Sequence, residues 1–133
     1  MVIDSSVLVA ILIGEADRDR YQRAIDASPL RLVSAVTKLE TGMAMIGRRG
    51  LAAADEVEPL LARLSARIVP FDEQQADIAC DAFARYGKGR HKAGLNFGDC
   101  AAYALAIAEA EPLLFKGTDF GATDVEVASV AER

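Results

Sequence analysis

Four acidic residues of this sequence stand beside apolar segments instead of on charged faces. Asp4 ends the apolar run that opens the chain, and Asp119 follows a later apolar run, PLLF. Asp99 sits at the foot of an apolar helical pattern, and Glu40 falls in the first two turns of another predicted helix. Two carboxylates 4 Å apart repel by about 4 kcal/mol at an effective dielectric constant of ~20. If the four converge, either some hold protons or a cation binds among them.

A cation bound by these carboxylates would define the chemistry of the site. An all-oxygen set of ligands favours a hard cation, Mg²⁺ or Mn²⁺. Such a cation lowers the pKa of a bound water and clamps a phosphoryl oxygen. The residues therefore point to metal-assisted hydrolysis of a phosphodiester, with one metal ion or two.

The elements that must position these residues alternate between short strands and helices. Five strands are predicted, at MVI, LRLVS, RIVPF, PLLF and VEVASV. Six helices are predicted between and around them: SSVLVAILIG, ADRDRYQRAIDAS, AVTKLETGMAMIGRRG, LAAADEVEPLLARLS (kinked at Pro59), DEQQADIACDAFARYG and residues 96–110. Apolar faces are predicted at Val36, Leu39, Met43 and Ile46 in the third helix, and at Ala76, Ala79, Phe83 and Tyr86 in the fifth. The alternation indicates an α/β fold with a parallel sheet covered by helices on both faces. Strand C-termini and helix N-termini meet at one edge of such a sheet, so we expect the four carboxylates to converge there.

Each acidic residue also has a purely structural interpretation. Asp4 can cap the helix that starts at Ser5, and Asp119 can be a turn residue. Glu40 stands three residues after Thr37, which matches a capping box. Asn96 and Asp99 form a weaker match of the same kind. The shared sheet edge is what favours the functional interpretation.

Composition limits the class of protein. The 133 residues predict a single domain, residues 1–133, and the net charge of −5 gives no overall basic field to attract a polyanion. The loop KGRHKAG supplies a local cluster that could hold a phosphate backbone: Lys88, Arg90, His91 and Lys92. Arg48 and Arg49 end a helix, where cations suit the dipole. Cys80 and Cys100 are expected to be buried free thiols.

The longest apolar run near the start, VLVAILI, is too short to span a membrane and has no basic segment before it. We therefore expect no membrane association, no signal peptide and a cytoplasmic protein.

Four stretches make the sequence similar to a known family. MVIDSSVLVAIL, SAVTKLETGM, RYGKGRHKAGLNFGDCAAYALA and PLLFKGTDF resemble the VapC toxins of the PIN-domain ribonuclease family, in order and over nearly the whole chain. The resemblance implies a three-layer α/β/α fold with a five-stranded parallel sheet. It implies an Mg²⁺- or Mn²⁺-dependent endoribonuclease that is inhibited by a VapB-type antitoxin. It also implies a homodimer that reaches operator DNA only through the antitoxin, with the antitoxin lying in an apolar groove between the early helices.

The same resemblance implies roles for individual residues. Asp4 and Asp99 would be the firmest metal ligands, Glu40 would complete the site directly or through water, and Asp119 would be its outer member. Ser5 would orient a ligand, and Asn96 would cap and support Asp99. The chain departs from the family at Lys92, where relatives commonly carry proline, which adds a charge and loosens the loop.

Three other functions fit parts of the pattern. A PIN-like domain that only binds is disfavoured by the intact set of acidic residues. A nuclease acting on DNA flaps is disfavoured by the small size. A phospho-receiver domain suits the alternating pattern, but Asp72 opens a helix instead of ending a central strand, and no acid stands beside Asp4.

Overall fold

The computed structural model describes residues 1–131 and forms three layers. Four short strands make one parallel sheet in the order β3-β2-β1-β4: β1 (Val2–Ile3), β2 (Leu32–Ser34), β3 (Arg67–Val69) and β4 (Leu113–Leu114). Six helices connect and cover them: α1 (Ser5–Ile13), α2 (Arg18–Asp26), α3 (Ala35–Arg49), α4 (Val57–Arg63), α5 (Glu73–Tyr86) and α6 (Phe97–Glu109). Two 3-10 turns span Leu51–Glu56 and Phe120–Ala122.

Adjacent residues of each strand enter different hydrophobic cores, as the pleat of a strand requires. Ile3, Val33 and Leu114 pack into the core that is built with α1–α4. Their neighbours Val2, Leu32 and Leu113 pack into the core that is built with α5 and α6. The predicted parallel sheet with helices on both faces is therefore confirmed.

Within residues 1–131 the sheet has four strands, so the expected fifth strand is wrong. Part of the segment expected to form it, VEVASV, still reaches the edge of the sheet as an isolated parallel bridge between Leu113 and Val127. The N–H of Leu113 donates to the carbonyl of Glu126 at 2.8 Å, and the N–H of Ala128 donates back to Leu113 at 2.9 Å. These bonds pair one residue of β4 without extending into a ladder.

The segment after α3 also differs from the prediction. One helix was expected there with a kink at Pro59, but the chain forms a 3-10 turn followed by α4. Pro59 lies in the first turn of α4, where a missing N–H leaves no helical bond unmade. No kink results.

Two predicted apolar faces are largely solvent-exposed. On α3 the buried residues are Thr37, Thr41 and Met45, whereas Leu39 and Met43 are 62% and 63% exposed. On α5 the predicted face includes the exposed Ala76 and Phe83 and the half-buried Ala79 and Tyr86. Both cysteines are free thiols, but only Cys100 is buried; the expected burial of Cys80 is wrong. No helix within residues 1–131 is long and apolar enough to cross a membrane.

Candidate functional site

Asp4 lies at the C-terminal end of β1, where the chain turns into α1. Its backbone N–H donates to the carbonyl of Leu114 at 2.9 Å, which fixes it beside the end of β4. Its side chain is 3% exposed and caps α1: Oδ2 accepts from the N–H of Ser6 at 3.1 Å and from the hydroxyl of Ser6 at 2.6 Å. The other oxygen, Oδ1, is buried without a hydrogen-bond partner within the described residues. The capping interpretation of Asp4 is confirmed, and it accounts for only one of the two oxygens.

An unpartnered carboxylate oxygen in the interior is costly unless a proton or a cation satisfies it. Burial raises the pKa of Asp4, and the nearby Glu40 raises it further. The hydrogen bonds from Ser6 act in the opposite direction but are outweighed. The site therefore favours a neutral or cation-bound Asp4.

Asp99 lies in the first turn of α6. Asn96 caps this helix, and the two residues form a capping box: the N–H of Asp99 donates to Asn96 Oδ1 at 2.9 Å, and the N–H of Asn96 donates to Asp99 Oδ2 at 3.1 Å. Burial raises the pKa of Asp99 to about 6, and Asp4, Glu40 and Asp119 each raise it further by charge repulsion. The structure thus brings the other three predicted carboxylates within electrostatic reach of Asp99.

Glu40 reaches the site from the second turn of α3. The hydroxyl of Ser5 donates to Glu40 Oε1 at 2.5 Å. The predicted capping box with Thr37 does not form, because Ser34 caps α3 and the hydroxyl of Thr37 is unpartnered. The structural interpretation of Glu40 is therefore wrong, and its carboxylate points at the residues around Asp99.

Gly98 makes room for Glu40 and was not identified from the sequence. A Cβ at position 98 would collide with the carboxylate of Glu40. The glycine directly before Asp99 therefore lets α3 and α6 bring their two acids together. Its only signal in the sequence is its place beside Asp99.

Asp119 is the outermost of the four. It is exposed, precedes the 3-10 turn Phe120–Ala122, and makes no side-chain cap there. Across residues 1–131, no three acidic, histidine or cysteine side chains lie close enough to share one ion as they stand. Mutual repulsion keeps carboxylates apart when no cation lies between them.

Ser6 is a second residue that sequence reasoning missed, although its neighbour Ser5 was singled out. Its hydroxyl accepts from the N–H of Lys116 at 2.9 Å while it donates to Asp4. Lys116 is in turn held by ion pairs with Glu15 and Asp17. This network joins the ends of β1 and β4 at the carboxylates.

The predicted basic loop lies between α5 and α6 and ends just before Asn96. Lys88, Arg90 and Lys92 are exposed. His91 is half-buried: its ring packs edge-on against Tyr86 at 5.2 Å, and its Nδ1 accepts from the N–H of Ala93 at 3.0 Å. Three cations therefore face solvent, and the histidine holds the loop in shape.

Apolar side chains lie beside Glu40 on the α3 side of the site. A cavity of about 470 Å³ is lined by Leu39, Met43 and Phe97 and by Glu40 itself. A second cavity of about 420 Å³ shares Leu39 and Met43 and continues past Ile46 towards α4. We call this surface, defined by Leu39, Met43, Ile46 and Phe97, the α3 surface. It is continuous with the acidic site.

Comparisons with known proteins match the whole architecture. The PIN domain family model matches residues 1–126. A ribonuclease VapC of Mycolicibacterium smegmatis is 48% identical over 125 residues, which cover 94% of this chain and 97% of that protein. The crystal structure of Mycobacterium tuberculosis VapC20, described as a sarcin-ricin loop cleaving toxin, superposes with a TM-score of 0.79 at 17% identity, covering 98% of both chains. The structure of VapBC2 from Rickettsia felis, bound to a DNA fragment from its promoter, gives a TM-score of 0.74 at 11% identity, covering 98% of both chains.

Proposed function

This chain belongs to the PIN-domain family and is an endoribonuclease toxin of the VapC type, and from that premise we propose that it cleaves RNA with an Mg²⁺ or Mn²⁺ ion held by Asp4, Glu40 and Asp99. Asp119 completes the acidic set as its outer member. The observation that carries this proposal is the buried, unpartnered Oδ1 of Asp4 among carboxylates that repel one another. The match to the PIN-domain family excludes the phospho-receiver alternative.

The residues fit a hard cation. All the candidate ligand atoms are carboxylate oxygens, and the oxygens used for helix capping, Asp4 Oδ2 and Asp99 Oδ2, leave one oxygen of each residue for other partners. When bound, Mg²⁺ or Mn²⁺ supplies a water of lowered pKa and neutralises charge on the phosphoryl oxygens.

The chain's own residues prepare that chemistry. The capping box holds Asp99 at the N-terminus of α6, where the helix dipole favours negative charge. Ser5 holds Glu40 by a hydrogen bond, and Gly98 leaves the space that Glu40 fills. We expect in-line hydrolysis that leaves 5′-phosphate and 3′-hydroxyl ends. His91 is the only histidine of the sequence and is engaged in its loop, so no histidine pair exists for the metal-free route through a 2′,3′-cyclic phosphate.

We expect the basic loop to bind the phosphate backbone of the RNA beside the site. Lys88, Arg90 and Lys92 face solvent directly before the helix that carries Asp99. In a protein of net charge −5, this cluster is a local source of attraction for phosphates. His91 stabilises the conformation of the loop through its contacts with Tyr86 and Ala93.

The partner that inhibits the site is a VapB-type antitoxin. The α3 surface offers apolar cavities that lead directly to Glu40. A partner segment lying on it can place an arginine among the carboxylates, in the position of the cation. We propose this surface for the antitoxin because it carries large exposed apolar side chains, of which α1 and α2 contribute none in the described residues. Operator DNA is bound only through the antitoxin.

A homodimer and a cytoplasmic location complete the proposal. Phe83 and Ile107, 43% and 42% exposed, add to the apolar surface that association can cover. Light scattering of the purified chain measures the mass of the particle directly. A cytoplasmic location follows from the proposed RNA substrate.

The test is cleavage of total bacterial RNA by the purified, antitoxin-free chain with Mg²⁺, with Mn²⁺ and with EDTA. We expect discrete cuts that need the metal and that fall by a factor of about 100 or more in Asp4→Asn. Asp55→Asn is the matched control, because it makes the same chemical change at an exposed residue outside the acidic set. A folded, metal-binding chain without cleavage would favour a PIN domain that only binds. Cleavage that persists in Asp4→Asn would contradict the proposed site.

A further inference from the structure

We propose that Ser6 is a positioning residue that gives the two oxygens of Asp4 different tasks. Oδ2 is held by the protein, and Oδ1 is kept free for the cation. This inference rests on the proposed function, because it concerns how the chain presents one ligand of the proposed metal site. Neither the family match nor the names of the relatives assigns a role to Ser6.

Two hydrogen bonds from one residue hold Oδ2. The N–H of Ser6 donates to it at 3.1 Å and the hydroxyl of Ser6 donates at 2.6 Å. Together they leave the carboxylate of Asp4 little freedom to rotate. The remaining oxygen, Oδ1, is buried and has no partner within residues 1–131.

The hydroxyl of Ser6 cannot easily turn away. It accepts from the N–H of Lys116 at 2.9 Å, and a hydroxyl has a single proton to donate. That proton is therefore committed to Asp4. Lys116 is itself anchored, because its ammonium group is paired with Glu15 and with Asp17, the latter at 3.1 Å. The orientation of Asp4 is thus fixed from β4 as well as from α1.

Helix capping alone does not require this arrangement. A cap needs one side-chain oxygen that accepts from a free N–H, and the N–H of Ser6 already satisfies Asp4 in that role. The hydroxyl bond is additional. Its neighbour Ser5 directs its own hydroxyl to Glu40 instead. Two consecutive serines therefore orient two different acids of the site.

The test is Mn²⁺ binding measured by isothermal titration calorimetry, which does not depend on cleavage. We expect Ser6→Ala to weaken Mn²⁺ binding by about tenfold, as removal of an outer partner of a metal ligand commonly does. Ser6→Thr keeps the hydroxyl and should restore binding to within about threefold of the wild type. Ser6→Cys keeps the size but offers a weak donor, so it should bind like Ser6→Ala and serves if that variant does not fold.

Ser28→Ala is the matched control, because the hydroxyl of Ser28 also donates to one acceptor, the carbonyl of Leu30 at 2.7 Å, outside the acidic set. It should bind Mn²⁺ like the wild type. Folded Ser6→Ala and Ser6→Cys proteins with unchanged Mn²⁺ affinity would overturn the proposal. Failure of the proposed function gives a different result: the wild type binds Mn²⁺ and loses affinity in Ser6→Ala, yet cleaves no RNA. A wild-type chain that binds no Mn²⁺ would overturn both.

Discussion

At the scale of single residues, Asp99 shows how a helix cap and a metal ligand can be the same side chain. One oxygen closes the capping box with Asn96, which any N-terminal acid could do. Its pKa of about 6, caused first by burial and then by three other carboxylates, is the part that capping does not explain. A carboxylate whose pKa is raised in this way marks a place where the fold loses stability for the sake of chemistry.

Asp99→Asn should stabilise the metal-free protein, and the effect should depend on pH. The pKa of Asp99 is about 6 in the folded chain against an ordinary 3.8, so ionising it opposes folding. The free-energy cost of ionising Asp99 is absent below the ordinary pKa of 3.8, grows between 3.8 and about 6, and is complete above pH 6. Allowing for the partial exposure of the side chain, we expect a gain of about 1 kcal/mol at pH 7.5.

Urea unfolding in EDTA at pH 7.5 and pH 4 measures this difference. The gain should shrink towards zero at pH 4, where Asp99 is protonated in the folded chain. Asp55→Asn, at an exposed position, should change stability little at either pH. A gain from Asp99→Asn that is equal at both values would show that the ionisation of Asp99 is not its source.

Gly98→Ala should separate stability from activity. Alanine is favoured over glycine in a helix by about 1 kcal/mol, so α6 itself should gain. The added Cβ, however, occupies the space of the Glu40 carboxylate and must displace it. We expect RNA cleavage to fall by at least tenfold while the circular dichroism spectrum stays native.

Gly47→Ala provides the matched comparison, because a Cβ at that position in α3 meets no atom within 4 Å. It should bring the helical gain without the loss of cleavage. Full cleavage by Gly98→Ala would mean that Glu40 has no fixed place in the site.

At the scale of elements, α3 shows what a periodic pattern can and cannot predict. The pattern of Val36, Leu39, Met43 and Ile46 predicts a helix with one apolar face, and that helix is present. The rest of the protein, however, covers the other side, where Thr37 and Thr41 are fully buried. Thr41 can be buried because its hydroxyl donates to the carbonyl of Thr37 at 2.7 Å. A pattern indicates which face is apolar and not what covers it.

Two methionines of α3 should therefore respond differently to the same truncation. Met45 is fully buried, so Met45→Ala removes core contacts and should cost about 2–5 kcal/mol. Met43 is 63% exposed, so Met43→Ala should stay within about 0.5 kcal/mol of the wild type. Thermal or urea unfolding of both variants checks the pair. Equal losses would mean that the α3 surface is covered in the purified protein, as a dimer would cover it.

At the scale of the whole molecule, the alternation of strands and helices was enough to predict the parallel sheet, its two helical layers and the common edge of the four acids. It did not predict how far the last strand extends. The segment around Val127 makes one bridge to β4 and is held instead by side chains. Asp124, just before it, accepts from the hydroxyl of Tyr103 at 2.6 Å and from Arg85 at 3.1 Å. Such contacts between distant residues have no periodic signature.

Tyr103→Phe should destabilise the protein at neutral pH more than in acid. The hydrogen bond from Tyr103 is the largest cause that lowers the pKa of Asp124, and Arg85 lowers it further. The stabilisation is therefore present above the ordinary pKa of 3.8 and is lost as the pH falls through the lowered value. We expect a loss of about 1 kcal/mol at pH 7 and a smaller loss at pH 3.

Urea midpoints of the two proteins at pH 7 and pH 3 measure this difference. Tyr86→Phe is the control, because the hydroxyl of Tyr86 accepts from Arg85. Its effect should be smaller and independent of pH. A loss from Tyr103→Phe that is the same at both values would assign the contribution to packing and not to the bond with Asp124.

The pairing of β1 with β4 has a consequence for how the protein is made. Asp4 is synthesised long before Leu114 and Lys116, whose backbone groups hold it directly and through the hydroxyl of Ser6. Asp99 and Asp119 also emerge late. In a nascent chain, Asp4 and Glu40 therefore leave the ribosome before the residues that complete the acidic site around them. For a protein that cuts RNA, this order of synthesis delays activity until Asp99, Leu114 and Lys116 have also left the ribosome.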